Sequence, residues 1–137
     1  MQKIVINTGT GFELTHKAIM RYAELKGIKL TAYIYSFHDN IYVKCEDVAS
    51  LPTIFQNLDY FINTSDDTIQ YGHKTTKYFS IYNIIRTDPA LLQVVNELKD
   101  SEQLDLKIVE VPDDVKWKIE EDEMGPECVR EVSRIWK

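Results

Sequence analysis

The stretch KIVINTGTGFELTHKAIMRYAELKG, residues 3–27, contains the pattern on which the fold prediction rests. Residues 3–7 are mostly apolar and predict a buried strand, and the two glycines of GTG predict a tight turn after it. Thr15 is suited to cap a helix that follows it, and Gly27 lies where a C-cap glycine belongs. The stretch therefore predicts a strand, a turn and an amphipathic helix in succession.

The same two glycines raise the question of whether this turn binds a phosphate. A dinucleotide-binding turn has the pattern G-x-G-x-x-G, because the third glycine lets the helix pack closely on the strand. Leu14 occupies the position of the third glycine here, and no G-K-S/T of a phosphate-binding loop follows. The sequence favours a structural turn, with a non-standard backbone contact to a ligand as the alternative.

The remainder of the chain predicts several strands around a central helix. KLTAYIYSF and IYVKCEDV flank a polar HDN turn and predict a hairpin within residues 29–48, and residues 64–82 predict a second pair of strands around a polar loop. RTDPALLQVVNELKD predicts a helix with Asp88 as N-cap and Pro89 as first residue. LDLKIVEVP and VKWKIEE predict two further strands, and GPECVREVSRIWK predicts a terminal helix that starts at Pro126.

This order of elements lacks the regular strand–helix alternation of a parallel sheet. It predicts an α+β fold with a largely antiparallel sheet and an N-terminal, a central and a C-terminal helix. The length of 137 residues suits a single domain over residues 1–137. Residues 51–62, LPTIFQNLDYFI, have no decisive pattern, although Pro52 is suited to start a short helix.

Composition narrows the classes of partner. The net charge of −6 without a basic block disfavours long nucleic acid, although a small anionic ligand needs few cations. No apolar run approaches the roughly 20 residues that cross a bilayer, and the N-terminus lacks a signal-peptide pattern. Cys45 and Cys128 are expected to be reduced core thiols, and the histidines have no metal-ligand spacing. We therefore expect a cytoplasmic protein with no membrane contact, metal or cofactor.

Aromatic residues are concentrated in the middle of the chain, with eleven of the fifteen within residues 33–82. In KYFSIYNIIR, residues 77–86, they precede an asparagine and an arginine. Aromatic rings stack on bases, an Asn amide pairs with adenine, and a guanidinium binds phosphate. The alternative is an ordinary strand that leads into a capped helix. The candidate ligand contacts in this part of the chain are Tyr78, Phe79, Asn83, Arg86 and Asp88.

Acidic residues form a second concentration, with seven in DDVKWKIEEDEMGPE, residues 113–127. Paired carboxylates can hold a divalent metal or act as acid and base. On an alternating strand and the loop after it, however, a solvated face is the favoured interpretation. No nucleophile and base with a recognisable catalytic spacing are found.

Three stretches taken together resemble the first type of phage-encoded Thoeris anti-defence sponges. They are residues 3–27, IIRTDPALLQVVNELK at 84–99, and LKIVEVPDDVKWKIEEDEMGPECVREVSRIW at 106–136. The most specific parts are the P-D-D-V-x-W-x-I-E-E element and the R-x-D-P helix start. Residues 45–75 lie outside the resemblance.

The resemblance implies an α+β protein, not an enzyme, that binds cyclic ADP-ribose isomers made by a bacterial TIR-domain enzyme during phage infection. The messenger is held without being cleaved, so that the downstream effector is not activated. Family members assemble through dimers, with ligand pockets at or near the protomer boundary, and some form hexamers. Some also bind cyclic oligonucleotides at separate sites. A phage-encoded member would act in the host cytoplasm.

Residue by residue, the resemblance places an aromatic-plus-asparagine pocket on Tyr78 or Phe79 with Asn83. It places the arginine and acid before the central helix on Arg86 and Asp88. It also adds Arg134, with Trp136, from a C-terminal Arg-x-Trp. Two departures stand out: Ser133 replaces a histidine, and the loop KDSEQLD lacks an arginine. Loss of that cation is expected to weaken phosphate binding or change which isomer is held.

Two alternative functions stay open. One is an enzyme that degrades cyclic nucleotide messengers with C-terminal carboxylates, namely Asp113, Asp114 or the acids of residues 120–123. The other is an interaction module that binds no small ligand.

Overall fold

The computed structural model describes residues 1–50, 58–72 and 77–132 of the chain. Short 3-10 turns at Val48–Ser50 and Ile81–Asn83 add to the helices and strands. Every pairing between the described strands is antiparallel, which confirms the predicted α+β class. The elements are β1 Gln2–Asn7, α1 His16–Lys26, β2 Leu30–Ser36, β3 Ile41–Lys44, β4 Asp59–Ile62, β5 Thr68–Gln70, β6 Lys77–Phe79, α2 Pro89–Leu98, β7 Leu106–Val111, β8 Trp117–Glu121 and β9 Glu127–Glu131.

The chain forms two compact units. The first unit consists of residues 1–22 and 81–137, and the second unit consists of residues 23–80. A single domain over residues 1–137 stays a prediction. Neither helix of the described ranges combines the length and the apolar character that crossing a membrane requires.

The first unit is built on β1 and β7, which pair with Asn7 opposite Leu106. Helix α2 contacts both strands, and β8 and β9 form a hairpin whose strand β9 contacts β1. Burying one large apolar side chain fully stabilises a fold by about 1.5–3 kcal/mol, so this core holds the unit together. Its buried apolar residues are Ile4, Val5, Ile6, Phe12, Ala18, Ile19, Tyr22, Ile84, Leu91, Val94, Val95, Leu104 and Leu106.

Both predicted ends of α1 are confirmed. The Oγ1 atom of Thr15 accepts a hydrogen bond from the Ala18 N–H at 3.3 Å, as an N-cap side chain does. Gly27 follows the last helical residue with φ of +69°, a backbone conformation that costs glycine little. The Ile28 N–H donates to the Ala23 carbonyl at 2.8 Å, which closes the C-terminal turn in the manner of a Schellman motif.

The start of α2 is also confirmed. The Oδ1 atom of Asp88 accepts a hydrogen bond from the Ala90 N–H at 2.9 Å, and Pro89 is the first helical residue. The helix buries one apolar stripe because these residues recur at i, i+3 and i+4. The buried residues of the stripe are Leu91, Val94 and Val95.

The second unit contains a five-stranded antiparallel sheet in the order β5-β3-β2-β4-β6. The predicted hairpin of β2 and β3 is confirmed, and Asn40 at its turn has a φ of +54°. Residues 64–82 do contain two strands, but the prediction that they pair is wrong. Strand β5 pairs with β3 and strand β6 pairs with β4, so they form opposite edges. The helix start expected at Pro52 lies outside the described residues.

The predicted C-terminal helix is wrong for residues 127–131. These residues form β9, which pairs with β8 in a hairpin with Trp117 opposite Glu131. Pro126 belongs to the turn of this hairpin, beside Gly125 with φ of +106°. Side chains of residues 127–131 therefore alternate between the two faces of a strand rather than follow a helical period. Residues 133–137 lie outside the described ranges.

The cysteines are both free thiols, but they are not both core residues. Cys45 is half-buried, and Cys128 is exposed because β9 is a strand with one solvated face. The prediction of two core thiols is therefore wrong for Cys128.

Candidate functional site

A closed polar cluster in the first unit is centred on Arg86. Its Nη1 and Nη2 atoms donate to the two carboxylate oxygens of Glu127 at 2.7 and 3.0 Å. Nη1 also donates to the Val5 carbonyl at 3.2 Å, and the guanidinium carbon lies 3.9 Å from the centroid of the Phe12 ring. We call Arg86, Glu127, Phe12 and the neighbouring Asn7 the Arg86 cluster.

Electrostatics hold this cluster in its ionised form. Burial raises the pKa of the Glu127 carboxyl, but hydrogen bonds from Arg86 and the Asn7 N–H, together with the charge of Arg86, lower it by more, so the pKa is below its ordinary value. The Asn7 N–H donates to Glu127 Oε1 at 2.8 Å. Because the charge of Arg86 is compensated by a bidentate carboxylate, a phosphate at this position would compete with Glu127 for the guanidinium.

Backbone N–H groups at the start of the GTG turn, which follows β1, donate to acceptors within the protein. The Gly9 N–H donates to Asn7 Oδ1 at 2.8 Å, and the Thr8 N–H donates to the Asp105 carbonyl at 2.8 Å. The Asn7 N–H is bound by Glu127. Three successive N–H groups are therefore occupied by protein acceptors, which supports the structural interpretation of this turn over phosphate binding.

The turn between β8 and β9 packs against the GTG turn. The Gly125 carbonyl accepts a hydrogen bond from Asn7 Nδ2 at 3.0 Å. A Cβ atom added at Gly125 would lie 2.8 Å from the backbone of Thr10. The close approach requires glycine at position 125.

The other predicted site residues of the first unit have different environments. Besides capping α2, Asp88 accepts a hydrogen bond from the Tyr22 hydroxyl at 2.7 Å. Burial, followed by this hydrogen bond, raises the pKa of Tyr22. Asn83 ends the 3-10 turn of residues 81–83 and is exposed to solvent. Arg134 lies outside the described residues.

One face of the sheet in the second unit is covered with aromatic side chains. Alternation along β2 puts Tyr33 and Tyr35 on the same side. Tyr42 of β3 lies opposite Tyr35, and Tyr78 of β6 lies opposite Phe61 of β4. We call this set the aromatic face. Its members are Tyr33, Tyr35, Tyr42, Phe61, Tyr71 and Tyr78.

Ring contacts run continuously across the aromatic face. The centroids of Tyr35 and Tyr42 are 5.2 Å apart, those of Tyr42 and Phe61 are 4.9 Å apart, and those of Phe61 and Tyr78 are 5.6 Å apart. These separations fall within the range of favourable aromatic pairs, each of which contributes about 0.5–1.5 kcal/mol beyond area burial. The rings therefore support one another in fixed orientations.

Exposure rises from the middle of the aromatic face toward its ends. Tyr33 and Phe61 are buried, whereas Tyr78 is 55% exposed and Tyr71 is 60% exposed. Phe37 extends the series beyond Tyr35, with ring centroids 5.0 Å apart, and is largely exposed. Exposed rings held by buried rings can stack on a planar ligand.

A carboxylate lies on the same face. Asp59 begins β4, two residues before Phe61, and its Oδ1 atom accepts a hydrogen bond from the Tyr78 hydroxyl at 3.2 Å. Burial raises the pKa of Asp59, and the hydrogen bond from Tyr78 opposes that rise in part. Sequence reasoning missed Asp59, although the alternation of DYFI would have placed it beside Phe61 had β4 been recognised.

The structure separates Tyr78 from Phe79. Neighbouring residues of a strand point to opposite faces, and Phe79 lies opposite Tyr60 whereas Tyr78 lies opposite Phe61. A planar ligand on the aromatic face can therefore contact Tyr78 and not Phe79. The predicted site residues also divide between the units, with Tyr78 and Phe79 in the second and with Asn83, Arg86 and Asp88 in the first.

Two of the C-terminal carboxylates of the alternative enzyme, Glu120 and Asp113, have cationic partners. Glu120 contacts Arg130 and, at 3.1 Å, Lys118, and its pKa is lowered by the hydrogen bond from Lys118 first. Asp113 contacts the N-terminal ammonium at 3.0 Å. Within residues 1–50, 58–72 and 77–132, no three His, Cys, Asp or Glu side chains are arranged to hold a metal ion.

Comparison of the chain with protein-family models, with curated proteins and with solved structures found no match. A function for this chain has to be inferred from its residues and their geometry.

Proposed function

We propose that this protein binds and sequesters a cyclic ADP-ribose-type signalling nucleotide without cleaving it, and so blocks bacterial Thoeris immunity during phage infection. Two things support the proposal: the sequence resemblance to anti-defence sponges, and the aromatic face of the second unit. The observation that carries it is the position of Tyr78. This ring is more than half exposed, yet it is held at the end of a continuous series of ring contacts.

Restraint of Tyr78 matters because a sponge needs affinity rather than turnover. The ring contacts Phe61, and its hydroxyl bonds Asp59, so little side-chain freedom is lost when a base stacks on it. Stacking contributes about 1–3 kcal/mol per base. Nanomolar affinity corresponds to about 12 kcal/mol, so contacts to the riboses and diphosphate supply the larger share.

The diphosphate requires cations, and the predicted site contains two arginines, Arg86 and Arg134. Arg86 is paired with Glu127, and Arg134 of the predicted site lies at the C-terminal end. Assembly as a dimer or a hexamer, as proposed from the resemblance, would let two copies contribute cations to one ligand. Cyclic oligonucleotides at a separate site belong to the same proposal, as does action in the host cytoplasm.

A release assay tests retention and chemistry together. The protein is incubated with a cyclic ADP-ribose isomer, separated from free ligand and denatured by heat, and the supernatant is analysed by chromatography. We expect intact messenger in the supernatant. Asn83→Ala should release less messenger while its circular dichroism spectrum stays unchanged, because Asn83 is an exposed predicted ligand contact.

The other outcomes are equally informative. Hydrolysed messenger would support the alternative enzyme, and chelator sensitivity would assign that activity to a metal. A folded sample that retains none of the isomers would overturn the proposal and leave an interaction module.

A further inference from the structure

Asp59 has an unusual position for an acidic residue. Strand β4 lies between β2 and β6 in the sheet, and Asp59 is its first residue. Its cross-strand partner on β2 is Tyr33, which is fully buried. The carboxylate therefore lies among aromatic rings, where burial of a charge is costly unless it is hydrogen-bonded.

The hydrogen-bonding capacity of this carboxylate is only partly used. An ionised carboxylate has about four acceptor sites, and the Tyr78 hydroxyl occupies one of them. Among the described residues, none of the salt bridges includes Asp59. Acceptor capacity is therefore left beside the hydroxyl end of the exposed Tyr78 ring.

The contact between Tyr78 and Asp59 fixes where this capacity is available. Because the hydroxyl of Tyr78 bonds Asp59, the outer end of the tyrosine ring is next to the carboxylate oxygens. A base stacked on that ring has its edge within reach of the same oxygens. A carboxylate only accepts hydrogen bonds, so it favours an edge that carries N–H donors and disfavours one that carries a carbonyl oxygen.

We propose that Asp59 is a specificity-determining residue of this site, which accepts a hydrogen bond from the exocyclic amine of a 6-aminopurine stacked on Tyr78. This inference rests on the proposed function, because it names the base that the sequestered nucleotide must carry. The site then selects adenine nucleotides over nucleotides whose base presents oxygen at the same position. Any base can stack on Tyr78, whereas the hydrogen bond to Asp59 discriminates between bases.

The experiment is isothermal calorimetry with two ligands. The first ligand is a cyclic ADP-ribose closed between its two riboses. The second is the same molecule with 1-methylhypoxanthine as base, which has a carbonyl oxygen in place of the amine and no N–H on that edge. A hydrogen bond to a charged group contributes about 1.5–3 kcal/mol, so the wild-type protein should bind the first ligand about 10- to 100-fold more tightly.

Asp59→Asn is the decisive variant. An amide can accept from the amine or donate to the carbonyl oxygen, so the preference should fall to within about threefold. Asp66→Asn is the matched control, because it removes one negative charge from an exposed position of the same unit and should keep the full preference. Thermal unfolding of each variant establishes that it is folded.

The possible outcomes separate the two proposals. If the wild-type protein binds both ligands equally, or if Asp59→Asn keeps the full preference, the role of Asp59 is wrong while sequestration stands. If neither ligand binds the folded wild-type protein, the proposed function is wrong and the role of Asp59 falls with it. If Asp59→Asn does not fold, the wild-type preference alone decides, because equal binding still overturns the inference.

Discussion

The Arg86 cluster and the aromatic face each contain a carboxylate, but the two carboxylates differ in how many protein donors bind them. In the Arg86 cluster, both carboxylate oxygens of Glu127 are bound by Arg86, and one of them also accepts from Asn7. On the aromatic face, Asp59 has one donor from a side chain, and the ring that supplies it is exposed. A residue type alone does not indicate a ligand site; unused bonding capacity next to solvent does.

Residue chemistry alone ranks Arg86 above Tyr78 as a candidate ligand contact, whereas the structure favours Tyr78. An arginine beside a helix start is the natural candidate for a phosphate, and a tyrosine in a strand is an ordinary sheet residue. In the structure the arginine is closed off by Glu127, whereas Tyr78 is the group open to solvent.

Arg86→Ala should destabilise the protein strongly, because it leaves the carboxylate of Glu127 buried without its partner. Breaking a buried ion pair costs about 3–5 kcal/mol, and urea unfolding measures the loss. The double variant Arg86→Met with Glu127→Leu should recover much of it, since no lone charge remains. A single variant as stable as the wild type would show that the Arg86 cluster is not closed.

Gly125→Ala should destabilise the first unit by about 1–3 kcal/mol, the typical cost of a residue held in a disfavoured backbone region. Its φ is +106°, and the new Cβ would meet the Thr10 backbone at 2.8 Å. Gly11→Ala is the matched control in the partner turn, because a Cβ there meets nothing within 4 Å. Equal melting temperatures for the two variants would contradict the packing of the two turns.

Tyr78→Ala should change binding far more than stability, since more than half of the side chain is exposed. Loss of one stacked base costs about 1–3 kcal/mol, so affinity for a cyclic ADP-ribose should fall roughly 5- to 150-fold in calorimetry. Tyr71→Ala removes a similarly exposed ring from the opposite part of the aromatic face. Equal losses in both variants would place the ligand somewhere other than Tyr78.

Acid should weaken the Arg86 cluster once the pH falls below the ordinary pKa of a glutamate side chain. The pKa of Glu127 is lower in the folded protein than in the unfolded chain, so the unfolded chain binds more protons as the pH falls below the ordinary value of about 4.3. The contribution of Glu127 to the free energy of unfolding should therefore fall as the pH is lowered through that window, and this contribution should be constant above it. Urea titrations at several pH values, compared with Glu127→Gln, should show a flatter dependence in the variant.

Local signals in the sequence were sufficient for the helices that are present. Asp88 before Pro89 and Gly27 after a periodic stretch each act through hydrogen bonds to residues within one turn, so no distant partner is needed. The predicted third helix is wrong because contacts with distant residues override a local helix signal. Pro126 is a local helix signal, but β8 pairing and the bond between Glu127 and Arg86, 41 residues away, hold the segment as a strand.

The candidate site shows the same limit. Sequence reasoning found Arg86 and Tyr78 as unusual residues, but it could not show that Arg86 is bound by Glu127 on two atoms and that the Tyr78 ring is more than half exposed. Asp59 was missed because it lies in a stretch without a clear period, and only the register of β4 brings it beside Tyr78. Which residues become cross-strand neighbours depends on strand pairing and register, and local propensity does not predict these.

The pairing of β1 with β7 has a consequence for how the protein is made. Asn7 leaves the ribosome early, but its partner Leu106 follows about a hundred residues later, which takes roughly 5–20 s at ordinary rates of synthesis. The nascent chain can meanwhile complete the contiguous second unit. Throughout that interval the apolar side chains of Ile4, Val5 and Ile6 have no strand to join, and we expect chaperones to bind the growing polypeptide there.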